Sequence, residues 1–417
     1  MESPAQQETR EHPDPGAAPR SQPTDAAPGS ARHSRARPRP RRRPQRRRRR
    51  RRRWLIGAGV LIVLALAAGA AASWHFASEV VVPERAELPA NVAVERVAAG
   101  RVVLSRSDDT QRQGVYGLDW QMGHAIVGGV LAKTDRTVTR QLRAVRGYLV
   151  AGMKVAIDQD VYVGNPREAL GLPFTVVRVP GELGAMPAWL IPARSHTWAI
   201  VVHGINGNLE GDLRMVGALH RAHLPALLIT YREDLGAPRS PDGHHHMGET
   251  EWRDLQAAAR FALSHGARRL VLVGTSMGGA IVAQLMERSP LAGHVAALVL
   301  DAPALSWKAI LSFNASRMGL PSFAALPVEW AIDVRIDPNW GGLDALDHPS
   351  AFHLPMLLFH GTADTLVPIS TSEAFARQHA RWITYYRVPG AAHAQSWNAD
   401  PALYERRVDA FLAGIGV

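Results

Sequence analysis

The chain has 417 residues, 46% of them apolar, enough to bury a substantial core, and no cysteine, which excludes disulfides, thiolate nucleophiles, cysteine-ligated zinc and lipoprotein attachment. Its net charge of +11 belongs to one end: residues 1–53 hold 17 Arg against five Asp and Glu, a balance of +12, which leaves −1 for the rest. The folded part therefore has no charge bias that would point to nucleic acid or another acidic partner. The lack of cysteine fits either side of a membrane.

Residues 1–40 are rich in Pro, Ala, Ser, Arg and Gln with scarcely an aliphatic side chain, so they cannot offset chain entropy by burial and are expected to be disordered. We read residues 1–53 as a disordered, arginine-rich cytoplasmic tail ending in an unbroken arginine run at 46–53. Residues 55–72 then give 18 positions without one polar side chain, about the length that crosses a hydrocarbon core of roughly 30 Å. With Trp54 and Trp74 at the two interfaces, residues 54–76 are expected to form one transmembrane helix. The competing reading is a signal peptide: Arg52-Arg53-Trp54-Leu55 resembles a twin-arginine start, and Ala70-Ala71-Ala72 could serve as a cleavage site. In either case the positive-inside rule keeps the arginines cytoplasmic, beside anionic headgroups, and sends the rest of the chain outward. No interleaved aromatics or nucleic-acid module accompany the run, so nucleic acid is not an expected partner.

Residues 77–173 read as a β-rich accessory or stalk region. Short β-prone runs at 101–104, 115–118, 124–131 and 137–142 are separated by turn signals, and Asp108, Asp109, Asp135 and Arg136 fall in those turns. No internal repeat is visible. From residue 174 the pattern changes to buried strands alternating with amphipathic helices. A hairpin is expected at 174–179 and 188–191 around Pro180-Gly181-Glu182-Leu183-Gly184. Strands follow at 199–202, 226–230, 270–273, 297–300, 356–359 and 384–388, with helices at 251–264, 277–287, 372–379 and 403–412. Such alternation implies an α/β domain with a mostly parallel sheet covered on both faces and functional loops at the carboxyl ends of its strands.

Residues 270–273, a buried strand, run straight into Gly274-Thr275-Ser276-Met277-Gly278-Gly279 and a helix start. That order describes a nucleophile elbow, where a strained turn exposes Ser276 and the flanking glycines let helix and sheet approach closely. A serine hydroxyl needs a base, and the base an orienting acid. Downstream, one strand ends in His360-Gly361-Thr362-Ala363-Asp364-Thr365-Leu366-Val367-Pro368 and the next runs into Pro389-Gly390-Ala391-Ala392-His393, so a carboxylate and an imidazole both sit in loops at strand ends.

On these motifs, residues 174–417 resemble the α/β-hydrolase superfamily in its esterase, lysophospholipase and serine-aminopeptidase-like branch. The resemblance implies an α/β-hydrolase fold with Ser276 as nucleophile, Asp364 as acid and His393 as base. It also implies an oxyanion hole from the backbone N–H groups of Met277 and of Ile205, within His203-Gly204-Ile205-Asn206-Gly207. Asp301, one strand earlier, is the rival acid. His203 is expected to buttress the loop rather than to react. The insertion at 306–342, with Trp307, Phe313, Met318, Phe323, Trp330 and Trp340, falls where this superfamily often carries a lid, though it could also be core.

Neither a cofactor nor a metal is expected. His244-His245-His246 has no carboxylate at ligand spacing and reads as a solvent-facing loop. Tyr231-Arg232 and Trp397-Asn398 could be pocket walls or packing. The expectation is a membrane-anchored extracytoplasmic serine hydrolase acting on small acyl or lysophospholipid-like esters through an acyl-enzyme. A serine aminopeptidase with the same triad and a non-catalytic surface scaffold are the alternatives.

Overall fold

The structure, a computed structural model, describes residues 44–84 and 89–417. The stretch expected to be disordered at 1–40 lies outside the described residues. Helix α1 (Pro44–Val81) is 38 residues long. It begins ten residues before the expected span and ends five after it, so residues 44–53 are helical rather than disordered. Arginine is a good helix former and proline suits a first turn, so nothing in the arginine run interrupts the helix that the apolar segment propagates. Among the described residues α1 is the one helix long and apolar enough to cross a bilayer. Its last turns change character: Ala77 and Val81 are fully buried.

Six strands follow: β1 (Val92–Ala98), β2 (Arg101–Ser105), β3 (Tyr116–Trp120), β4 (Gly123–Lys133), β5 (Thr137–Arg146) and β6 (Lys154–Asp158). They close into an antiparallel barrel in the order β1-β2-β5-β4-β3-β6, with Val92 paired to Val155 across the closure. The barrel has its own core, including Val94, Leu104, Leu118, Val127 and Val155. β1 and β6 are not evident from the sequence because each carries charged residues and β1 contains a register irregularity between Val94 and Arg96. Closure requires both, since together they cover the otherwise open edges of β2 and β3.

After α2 (Pro166–Leu170), the second sheet comprises β7 (Thr175–Pro180), β8 (Ala185–Ile191), β9 (Thr197–Val202), β10 (Ala226–Ile229), β11 (Arg269–Thr275), β12 (Val295–Asp301), β13 (Met356–Gly361) and β14 (Ile383–Val388). Its order is β14-β13-β12-β11-β9-β10-β8-β7. β9 to β14 are mutually parallel, while the β7–β8 hairpin is antiparallel and joins through β10. All six positions of β9 and of β13 are buried, as expected for strands covered on both faces.

The covering helices are α3 (Leu213–Arg221), α4 (Trp252–Ser264), α5 (Met277–Arg288), α6 (Trp307–Arg317), α7 (Leu326–Ile336), α8 (Ile369–Gln378), α9 (Ser396–Ala399) and α10 (Pro401–Gly414). One apolar layer joins α4, α5, α6 and the end of α1 to the sheet; the other joins α3 and α10. Strand order reverses between β9 and β11, and the loops leaving those two adjacent strands define the crevice where ligands bind in open α/β sheets.

The barrel meets this domain through a short polar seam. Val115 donates its backbone N–H to the Asn398 carbonyl at 2.8 Å, and the Asn398 amide donates back to the Val115 carbonyl at 2.8 Å. Gly114 allows the approach, since a Cβ there would fall 2.1 Å from the Asn398 oxygen. Buried Arg140 fixes the same loop by donating to the carbonyls of Thr110, Arg112 and Gly114.

Candidate active site

β11 ends at Thr275 and α5 begins at Met277, leaving Ser276 alone in the turn with φ 54° and ψ −119°. A positive φ is costly for a residue with a side chain, and it persists because the surroundings over-determine it. The Ser276 N–H donates to the Asp301 carbonyl, and the Ser276 carbonyl accepts from Gly279 and Ala304. Gly278 and Gly279 admit the helix: Cβ atoms there would lie 2.1 Å from the Val202 oxygen and 2.4 Å from the Pro303 Cβ. The hydroxyl thus projects from the sheet rim while the backbone beneath it is locked.

Ser276 Oγ lies 2.8 Å from His393 Nε2, and His393 Nδ1 lies 2.8 Å from Asp364 Oδ2. The two loops that carry the imidazole and the carboxylate touch at Gly361, where a Cβ would sit 2.2 Å from the Ala391 oxygen. Asp364 Oδ1 accepts from the backbone N–H groups of Leu366 and Val367 at 2.8 and 2.9 Å. Its Oδ2 also faces buried His360, whose Nε2 is 3.2 Å away and whose Nδ1 meets the Ser372 hydroxyl at 2.7 Å. Burial alone would raise the Asp364 pKa, but the hydrogen bonds from His360, His393 and Leu366 hold it well below the ordinary carboxylate range. His360 opens the H-G-x-x-D motif, yet its sequence position says nothing of its contact with the Asp364 carboxylate.

The loop after β9 faces Ser276. A Cβ on Gly204 would lie 3.0 Å from that of Ser276. The Gly204 carbonyl accepts from the Tyr231 hydroxyl at 2.7 Å and lies 2.9 Å from His203 Nδ1. Because the peptide is planar and trans, fixing that carbonyl turns the Ile205 N–H to the opposite side. Met277 opens α5, so its N–H is one of the first-turn donors and sits at the positive end of the helix dipole. His203 Nε2 is 3.0 Å from buried Asp234. Burial disfavours the charged ring, but Asp234, with help from Asp212 and the Gly204 carbonyl, raises His203 to about 9. Asp212 itself is pushed up by burial to about 7.

These groups open into one cavity of about 610 Å³. Its floor contains Ser276, His393, Gly204 and Ile205. Asp160, Asp212 and Arg214 line a polar flank, and Trp307, Leu311, Val328 and Met318 from the insertion line an apolar one. The remaining wall comes from α1 itself: Phe76, Glu79 and Val80. The end of α1 is tied in at two further points, since the Val81 carbonyl accepts from the His245 N–H and the Glu84 N–H donates to Asn206 Oδ1. Reading 54–76 as a membrane span obscured this wall. The signal was the reappearance of polar residues after Ala72, which leaves Phe76, Ala77, Val80 and Val81 as a helical stripe.

A family model described as serine aminopeptidase, S33, matches residues 235–341, which include Ser276 and all but the last residue of the insertion, but neither Asp364 nor His393. A second model, described as a domain of unknown function, matches residues 93–158, the barrel. The uncharacterised protein YfhR of Escherichia coli K12 is 25% identical over 253 residues, covering 58% of this chain and 79% of its own length. An uncharacterised protein of Mycobacterium tuberculosis is 28% identical over 231 residues, covering 53% and 70%. An esterase of Pyrococcus furiosus superposes with a TM-score of 0.50 at 18% identity, covering 60% of this chain and 95% of the esterase. These likenesses and the strand order give residues 174–417 the α/β-hydrolase fold.

Several residues singled out in the sequence lie elsewhere in this fold. The Asp301 carboxylate accepts from the Ser396 hydroxyl at 2.6 Å, and burial, partly offset by that bond, raises it to about 6. His245 is buried rather than solvent-facing. Its Nε2 lies 3.1 Å from Asn206 Oδ1 and its ring packs edge-on to Tyr231, because the histidine loop folds over the end of α1. Arg232 is withdrawn into a buried pair with Asp254 at 2.8 Å, and Tyr231 is committed to Gly204. Trp397 donates to Glu405, and Asn398 bridges Arg214 and the barrel. None of these four lines the cavity; each is packing rather than pocket wall.

Proposed function

We propose that this chain is a membrane-anchored serine hydrolase that cleaves carboxylic esters through an acyl-enzyme. The observation that carries the reading is the relay of two 2.8 Å contacts from Ser276 through His393 to Asp364, opening into a cavity with an apolar flank. Ser276 attacks the ester carbonyl while His393 takes the hydroxyl proton. Asp364 keeps the imidazole oriented and stabilises its protonated form. The N–H groups of Ile205 and Met277 stabilise the oxyanion. His393 returns the proton to the leaving alcohol, and a water molecule then attacks the acyl-enzyme by the reverse path. No cofactor enters this sequence. Helix α1 is the anchor, with the arginine run on the cytoplasmic side.

A fluorophosphonate probe tests the reading: the wild type should be labelled and Ser276→Ala should not. A folded protein that resists labelling would instead support a non-catalytic scaffold. The aminopeptidase named in the matched family description is the second reading, favoured by the carboxylates of Glu79 and Asp160 on the cavity wall, which could receive a free amine. Turnover of acyl esters against aminoacyl amides separates the two, and we expect the esters to be preferred.

A further inference from the structure

The insertion presents a second surface that the ester chemistry leaves unused. Met318, Leu320, Phe323, Leu326, Trp330 and Val334 are each between 48% and 69% exposed. Leu326, Trp330 and Val334 recur every fourth residue, so they form one stripe along the outer face of α7. Soluble surfaces scatter single apolar residues but rarely align a large aromatic with aliphatics on one face.

The position of this stripe says what covers it. At the C-terminal end of α7 the Arg335 guanidinium stacks on the Trp74 ring at 3.8 Å and donates to the Ser78 hydroxyl at 2.9 Å. Trp74 lies two residues past the apolar run of α1 and is itself half exposed, as a bilayer-interface tryptophan would be. The end of α7 is therefore held at the depth where α1 leaves the membrane. The same two elements wall the cavity, with Phe76 and Val80 from α1 and Val328 from α7. Met318 and Leu320 belong both to the exposed patch and to the cavity lining.

We propose that the α7 face docks into the outer leaflet of the bilayer that holds α1, and that the cavity receives long-chain acyl esters directly from that leaflet. This rests on the anchored-esterase reading and adds to it the source of the substrate. An ester entering between α1 and α7 keeps its chain against apolar side chains throughout, while its polar end advances towards the Asp160 and Arg214 flank. Transfer through water, the costly step for a long chain, is avoided.

The absence of cysteine makes the test specific, because one introduced thiol labels one site. Full-length Leu61→Cys, Leu326→Cys and Ser264→Cys are each coupled to an environment-sensitive dye and reconstituted in phosphatidylcholine and phosphatidylglycerol vesicles with brominated acyl chains. Quenching at Leu61 and Leu326 but not at Ser264 is expected. Quenching at Leu61 without quenching at Leu326 overturns the docking and assigns the α7 face to a protein partner or a second copy. No quenching at Leu61 removes the anchor itself, and the docking with it. In parallel, the combined Leu326→Ser, Trp330→Ser and Val334→Ser variant should hydrolyse a water-soluble acetyl ester at the wild-type rate. It should hydrolyse a vesicle-embedded long-chain ester about tenfold more slowly. Equal loss on both esters counts against the proposal, because it locates the damage inside the site. If the wild type cleaves neither ester, the esterase reading fails, while the quenching experiment still decides where α7 lies.

Discussion

The cavity has two sides built on opposite principles. On the floor, polar groups are held by specific partners: Asp364 takes two backbone N–H groups and faces two imidazoles, and the Gly204 carbonyl is fixed by Tyr231 and His203. On the side of the insertion, α6 and α7 contribute mostly apolar side chains, held by scattered hydrogen bonds that include Trp307 to the Met247 carbonyl, Arg317 to that of Thr365, Asn314 to that of Leu366, Trp340 to Asp333, and Arg335 to α1. The floor stands on strand ends that cannot shift without disturbing the sheet; the wall is held mainly by apolar packing, through Ile310, Leu311, Ala331 and Ile332. If the chain is the esterase proposed above, a division of labour follows, in which the floor sets how fast any ester reacts and the wall sets which ester reacts. Changes to the floor should then affect all substrates alike, and changes to the wall should scale with acyl length.

The floor offers the largest effect. Asp364→Asn retains the shape but presents an amide to His393 and favours the wrong tautomer, so kcat should fall by about 10⁴ for acetyl and long-chain esters equally. Steady-state kinetics on a chain-length series checks this, and a loss that varies with chain length would contradict the division. Next comes Gly204→Ala. The added methyl would press on Ser276 from 3.0 Å and displace the loop that carries Ile205, for an expected loss of about 10² in kcat at unchanged KM.

How much of this was legible beforehand follows the same division. Ser276, Asp364 and His393 stand in loops whose chemistry is local: glycines at the elbow, a carboxylate and an imidazole just past buried strands. Eight strands of the second sheet follow from apolar runs, and they are found within a few residues of the expected positions. The supports are non-local and therefore silent in sequence. Asp234 reaches His203 across 31 positions, and Tyr231 reaches Gly204 across 27. The cavity wall at the end of α1 is intermediate: the apolar run does not announce it, and only the stripe of Phe76, Ala77, Val80 and Val81 after Ala72 does. β1 and β6 were hidden because barrel closure, rather than their own alternation, makes them strands.

A smaller floor effect links the site to pH. Charged His203 donates to both Asp234 and Gly204, and its folded-state pKa of about 9 lies above the ordinary histidine value. Its contribution to stability is therefore fully present below roughly pH 6.5 and is lost as pH rises through about 9. Above that, a neutral ring can donate to only one partner, and the Gly204 peptide depends on Tyr231. Wild-type kcat should decline on the alkaline side near pH 9. Tyr231→Phe should cost about tenfold at neutral pH and steepen that decline. Thermal melting across the same range checks the stability half. A flat profile between pH 8 and about 10 would mean that the loop carrying Ile205 does not depend on the His203 charge.

The smallest effect belongs to the wall. Val328 lines the cavity from α7 and is only half-buried, so shortening it removes little from the core. Val328→Ala deletes two carbons from the surface an acyl chain would cover, worth roughly 1 kcal/mol of contact or about a fivefold loss in kcat/KM. That loss should appear only for chains long enough to reach α7; acetyl esters, whose acyl group stays at Ser276, should be hydrolysed at the wild-type rate. A uniform loss would mean that α7 acts by positioning Ser276 or His393, making wall and floor one unit. A long-chain loss with an unaltered acetyl rate would place selection in the α7 wall and chemistry at the strand ends, because a contact made far from the carbonyl can discriminate only among substrates that extend to it.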